Sequence, residues 1–127
     1  MKFGRNCQTY GLILRQLRIS FWSLGYAKRM YSMDDLLYLA ATERAEALKL
    51  RIGEPPVIVV RGEHHVVEGP DITAENAEQF LLSITNTRQR RHFRERGWLQ
   101  FFYMYRGLKR FLILIRLDGE NVEFDIE

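Results

Sequence analysis

Two adjacent histidines, His64 and His65, and a run of arginines, Arg88, Arg90, Arg91, Arg94 and Arg96, are the groups here whose types could do chemistry. A metal needs both rings on one ion, and neighbours on an extended chain point to opposite faces, so we expect no metal at the histidines. The arginines suit a docking site for phosphate, nucleic acid or an acidic partner, or else a solvated helix face. Arg90 and Arg94 lie one helical turn apart and Arg91 neighbours both, which makes one patch with Glu95 as partial compensation. Arg94 and Arg96 also sit where the helix dipole favours cations. His92, among them, reads as solvated. Trp98, Phe101, Phe102, Tyr103 and Tyr105 could stack on bases or fill a core. Alternation puts Trp98 and Phe102 on one face of a strand and Phe101, Tyr103 and Tyr105 on the other. We expect one set in the core and the other covered by a helix, the alternative being an exposed interaction patch. No Ser-His-Asp or Cys-His constellation stands out, and Asp34, Asp35 and Asp71 read as helix-start residues rather than acid–base groups. Cys7 is the only cysteine, so neither an internal disulfide nor a cysteine-based metal site is expected.

Charge is unevenly placed. Residues 1–32 carry Lys2, Arg5, Arg15, Arg18, Lys28 and Arg29 and no acidic residue. Of nineteen basic residues thirteen therefore remain for 33–127, against all sixteen acidic ones, a net of −3. The high pI belongs to the first quarter, and the mildly acidic remainder argues against a general nucleic-acid binder. Residues 10–26 are apolar but interrupted by Arg15 and Arg18, too broken to span a bilayer. Three readings fit residues 1–32: an amphipathic helix on a membrane surface, with Leu14, Leu17, Phe21 and Leu24 against the arginines; a targeting segment; or a non-native stretch, with translation starting near Met30 or Met33.

The elements that must position these groups follow from pattern. Ser32 before Met33-Asp34-Asp35 reads as an N-cap, and Leu36, Leu37, Ala40 and Ala41 recur at helical spacing, so a first helix should run to Ala45 or Ala47. Leu48 to Ile52 alternates as a strand, Gly53-Glu54-Pro55-Pro56 breaks it, and Val57–Val60 and His65–Val67 form a hairpin around Arg61-Gly62-Glu63. Thr73 caps a second helix with Ala77, Phe80, Leu81 and Ile84 buried. Asn86 or Thr87 caps a third, Arg88 to Arg96, anchored by Phe93 and stopped by Gly97. Strands then run from Trp98 to Tyr105 and from Arg110 to Leu117, the latter apolar on both faces and so central. Asp118-Gly119 signals a hairpin into an edge strand whose Val122, Phe124 and Ile126 alternate with Glu123, Asp125 and Glu127. The sum is an α+β domain with a mostly antiparallel sheet and three helices, in the order α-β-β-β-α-α-β-β-β.

On these elements residues 33–127 resemble the N-terminal domain of the twitching-motility and type II secretion ATPases of the PilT family. The best-matching words are Gly53-Glu54-Pro55-Pro56-Val57-Ile58-Val59-Val60-Arg61-Gly62-Glu63, like the family's Gly-x-Pro-Pro strand and turn, and Gln89-Arg90-x-x-Phe93 in its helical pair. Arg110-Phe111-Leu112-Ile113 lies at its Arg-Phe-Arg-Val strand. The chain departs at Ala45-Glu46-Ala47-Leu48-Lys49-Leu50, where the family has Ala-Ser-Asp-Leu-His-Leu, and at Val59, where it has a basic residue. A phosphate-binding loop of type Gly-x-x-x-x-Gly-Lys-Ser/Thr, whose backbone N–H groups cradle phosphates, does not occur in these residues.

The resemblance implies a PAS-like fold and a bacterial, cytoplasmic, non-enzymatic interaction module. In the family this domain packs against a neighbouring subunit's ATPase domain. The implied partner is a hexameric pilus or secretion ATPase, or another part of that machinery, and no cofactor is expected. Arg88, Arg90, Arg91, Arg94, Trp98 and Phe102 are the expected contact residues. Two alternatives stand beside it: a PAS-like small-ligand sensor, and a nucleic-acid-binding domain using the arginine-rich helix.

Overall fold

A computed structural model of the chain describes residues 31–127. The readings of residues 1–30 and of Cys7 lie outside the described residues. Three helices, α1 (Met33–Thr42), α2 (Ala74–Ile84) and α3 (Thr87–Arg96), accompany six strands. The strands are β1 (Ala47–Arg51), β2 (Val57–Val60), β3 (Glu63–Val66), β4 (Trp98–Tyr105), β5 (Lys109–Asp118) and β6 (Asn121–Ile126). Their order along the chain is the one expected, and the class is α+β. All six strands form one sheet in the order β3-β2-β1-β6-β5-β4, with every neighbouring pair antiparallel.

That order corrects one expectation. β6 is not an edge strand but sits between β1 and β5. The reason is the route of the chain. β3 lies at one edge of the sheet and β4 at the other, with α2 and α3 the elements between them. β5 and β6 then fold back inward by hairpins until β6 meets β1, with Leu48 opposite Ile126 and Leu50 opposite Phe124. Only this return closes the gap between the two halves of the sheet.

Period-two alternation sends one face of the sheet to the helices. Leu48 and Leu50 of β1, Ile58 and Val60 of β2, Phe111, Ile113 and Ile115 of β5, and Phe124 and Ile126 of β6 are buried there. They join Leu36, Leu37 and Ala40 of α1, Ala77, Phe80 and Ile84 of α2, and Phe93 of α3 in one core. Phe80 meets Phe124 edge to face, with ring centroids 5.8 Å apart. Fully burying side chains of this size is worth about 1.5–3 kcal/mol each, which makes the seam between α2 and β6 a main support of the fold.

Helix ends follow the caps read from sequence. Ser32 Oγ accepts from the Asp34 and Asp35 N–H groups, and Thr73 Oγ1 from Asn76 N–H. Asn86 and Gln89 form a reciprocal capping box at the start of α3. Gly97 ends α3 in the left-handed region (φ 82°), its N–H donating to the Phe93 carbonyl. α1 stops at Thr42, earlier than the Ala45 or Ala47 expected, because Arg44 takes a left-handed conformation (φ 54°) and turns the chain into β1. β3 begins two residues earlier than expected, at Glu63.

Candidate interaction surface

The second face of the sheet is built by the other half of each alternation. From the β4 edge inward it carries Trp98, Gln100, Phe102 and Met104, then Arg110, Leu112, Leu114 and Arg116 of β5, then Glu123 and Asp125 of β6, then Ala47, Lys49 and Arg51 of β1. Among the described residues no helix covers it. Trp98, Phe102 and Met104 stay 45%, 61% and 56% exposed, a row of large apolar side chains along one edge. The set outside the core is therefore exposed as a patch, and not covered by a helix of its own as expected. All three helices pack on the opposite face, where Leu99, Phe101, Tyr103 and Tyr105 point.

The centre of the open face is held by charge. Arg51 donates to Asp125 Oδ1 at 2.9 Å and to the Phe124 carbonyl at 3.0 Å. Arg116 donates to Asp125 Oδ2 at 2.6 Å and lies 3.4 Å from Glu123. Asp125 thus bridges two guanidinium groups from strands on either side of its own. Half-exposed pairs are individually worth little, but a shared carboxylate also cancels the repulsion between its two cations. A shallow trough of about 320 Å³ lies over this network, with Leu112 and Leu114 beside Lys49 and Gln100. Arg110 lies over the Phe102 ring, 4.5 Å from its centroid.

The six residues expected at a contact fall in two places. Trp98 and Phe102 belong to the open face. Arg88, Arg91 and Arg94 are exposed on α3, while Arg90 is half-buried and donates to the Thr85 carbonyl at 2.6 Å, tying α3 to the end of α2. Arg90 and Arg94 both line a groove of about 300 Å³ with Leu81, Phe93, Glu78 and Glu120. Helical spacing places His92 on the other flank of α3, and it is not solvated as expected. It is half-buried, and its ring meets Trp98 edge to face at 5.2 Å. That contact joins the arginine helix to the aromatic row around the corner at Gly97.

Met104, also in the row, was reachable by the same alternation that gave Trp98 and Phe102. The Arg51–Asp125–Arg116 bridge was not, because it needs three strands distant in sequence brought into register. His64 and His65 take opposite faces, His64 exposed and His65 fully buried, with His65 3.6 Å from Glu63. Among the described residues no group of three or more His, Cys, Asp or Glu side chains is placed to hold a metal ion, and no helix is long and apolar enough to cross a membrane.

No sequence-family profile matches the chain, and no curated protein matches it. Solved structures do. The pilus retraction motor PilT with bound ADP superposes with a TM-score of 0.69 at 20% identity, over 76% of this chain and 29% of that one. The Legionella pneumophila ATPase DotB superposes with a TM-score of 0.67 at 14% identity, over 82% and 31% of the two chains. The Yersinia pseudotuberculosis ATPase DotB gives 0.60 at 10% identity, over 82% and 32%. The chain is thus matched to about three tenths of the length of these ATPases, and its domain has a fold found within them.

Proposed function

We propose that residues 33–127 act as a non-enzymatic interaction module of pilus-retraction or type II secretion machinery, corresponding to the N-terminal domain of its ATPases. The observation that carries this reading is the shared fold over about three tenths of PilT and DotB, in a stretch of sequence without a phosphate-binding loop. Such a module contacts an ATPase of that class on the cytoplasmic side. The exposed Arg88, Arg91 and Arg94 supply positive charge for an acidic partner surface, and Trp98 and Phe102 supply the apolar anchor. The full chain, immobilised, is exposed to an extract of its own cells. Capture of a pilus or secretion ATPase, lost in an Arg91→Glu/Arg94→Glu variant that keeps its helical signal, is the expected result. Failure to capture such an ATPase at low salt removes the reading.

A second reading, a single-stranded nucleic-acid surface, is favoured by Arg110 stacked on the exposed Phe102. It predicts affinity that falls steeply with salt, and absence of binding to an oligonucleotide at low salt discards it.

A further inference from the structure

We propose that β4 is a self-pairing edge: two copies of the chain join their β4 strands antiparallel across a two-fold axis, continuing one sheet into the other. The proposal rests on the strand itself and not on the ATPase reading. A free strand edge presents a row of unpaired N–H and C=O groups, and proteins usually blunt it with charge, proline, a bulge or shortness. The other edge of this sheet is blunted in that way, since β3 has four residues and carries Glu63 and His64. β4 has none of these devices. Its eight residues, Trp-Leu-Gln-Phe-Phe-Tyr-Met-Tyr, include no charge, no proline and no glycine. It pairs with β5 one residue to one without a bulge, from Trp98 opposite Arg116 to Tyr105 opposite Lys109. Among the described residues no backbone group from Leu99 to Met104 finds a backbone partner beyond that ladder.

The side chains say what the occupant is. A strand added here lays its own side chains beside Trp98, Gln100, Phe102 and Met104 on the open face. That row is left to solvent, so an occupant that covers all of it is apolar on the same face, as long as β4 and open at its own edge. β4 of a second copy meets all three conditions. Two-fold symmetry requires that some residue face its own copy, and the middle of the strand lies between Phe101 and Phe102. Centred on Phe102, that ring meets its counterpart. Centred on Phe101, Phe102 meets Gln100 and Trp98 meets Met104. In both registers the two copies of residue 102 are direct or diagonal neighbours, within about 8 Å.

The test is the mass of the full 127-residue chain by sedimentation equilibrium from low micromolar to submillimolar concentration, with Phe102→Lys and Phe102→Glu variants. Phe102 is mostly exposed and outside the core, so both variants keep the fold. The wild type is expected to dimerise from its monomer mass of 15.1 kDa. Each variant alone is expected to raise the dissociation constant at least about tenfold, through lost aromatic contact and like charges across the axis, and an equimolar mixture to recover the dimer. Hydrogen exchange on the wild type gives a reading free of any variant, since the outer-edge amides of β4 should gain protection as concentration rises. A wild type that stays monomeric throughout, or a dimer that Phe102→Lys leaves intact, overturns the proposal.

Discussion

Asn76 grips the backbone of Tyr31 with both ends of its side-chain amide. Its Oδ1 accepts from the Tyr31 N–H at 3.0 Å and its Nδ2 donates to the Tyr31 carbonyl at 2.9 Å, the whole side chain being 1% exposed. A buried asparagine in the first turn of a helix is costly unless both of its side-chain groups are paired, and here a single residue, Tyr31, pairs both. Replacing it by alanine strands a buried N–H and a buried carbonyl at once. Asn76→Ala should therefore lower stability by about 2–4 kcal/mol, read by urea denaturation of the full chain. An unchanged midpoint would mean that Tyr31 is not part of the folded unit.

Gly69 lies where the ring of Tyr31 passes. The Tyr31 hydroxyl donates to the Pro70 carbonyl at 2.7 Å, and a side chain at residue 69 would run into that same hydroxyl. Residue 69 also has a positive φ of 152°. Gly69→Ala should cost about 1–3 kcal/mol, and adding Tyr31→Phe should return part of the loss by removing the clashing oxygen. A double-mutant cycle measures the coupling, and strict additivity would contradict the contact.

These two relationships mark where reading from sequence ends. Caps, periodicities and turns are local, so Ser32, Thr73, Asn86, Gly97 and the Asp118-Gly119 hairpin all stood in the chain and are found in place. The side-to-side order of strands is not local. The acidic alternation of Glu123, Asp125 and Glu127 looks like a solvent edge until β1 and β5 bring Arg51 and Arg116 against it. Likewise the alternation in β4 separated Trp98 and Phe102 from Tyr103 and Tyr105, but could not say which set the helices would cover. The partner of Asn76 lies forty-five positions away and has no sequence signature.

Tyr105 makes a prediction about pH. Burial, and next the Asp34 carboxylate, raise its phenol above the ordinary value of 10.0, and Tyr31 is raised as well by burial and then by Asp71. An unfolded tyrosine gives up its proton near pH 10, while the folded ones hold theirs to higher pH. The stability this contributes is complete below the unfolded value and is lost as the pH climbs towards the folded values. The chain should therefore unfold progressively above about pH 10, with Tyr105→Phe losing less stability over that range. The Tyr105 hydroxyl has no hydrogen-bond partner among the described residues, so at neutral pH Tyr105→Phe should be neutral or stabilising by up to about 1 kcal/mol. Thermal denaturation at neutral and alkaline pH checks both parts.

Asp125 offers a prediction about salt. Asp125→Asn leaves Arg51 and Arg116 facing each other without the charge that both now share. The loss should be about 0.5–1.5 kcal/mol at low ionic strength and should shrink in high salt, because these groups are partly exposed. Chemical denaturation by urea, at two salt concentrations, distinguishes this from a packing defect, whose cost salt would not reduce.

The proposed contact with an ATPase can be tested directly. The measurement is steady-state ATP hydrolysis by the pilus or secretion ATPase of the same cells, titrated with the purified full chain. A saturable change in turnover, abolished by Arg91→Glu/Arg94→Glu, is the predicted result. A turnover that does not move at any concentration of the chain, with no complex detected at low salt, would rule out the proposed contact and leave only a shared fold.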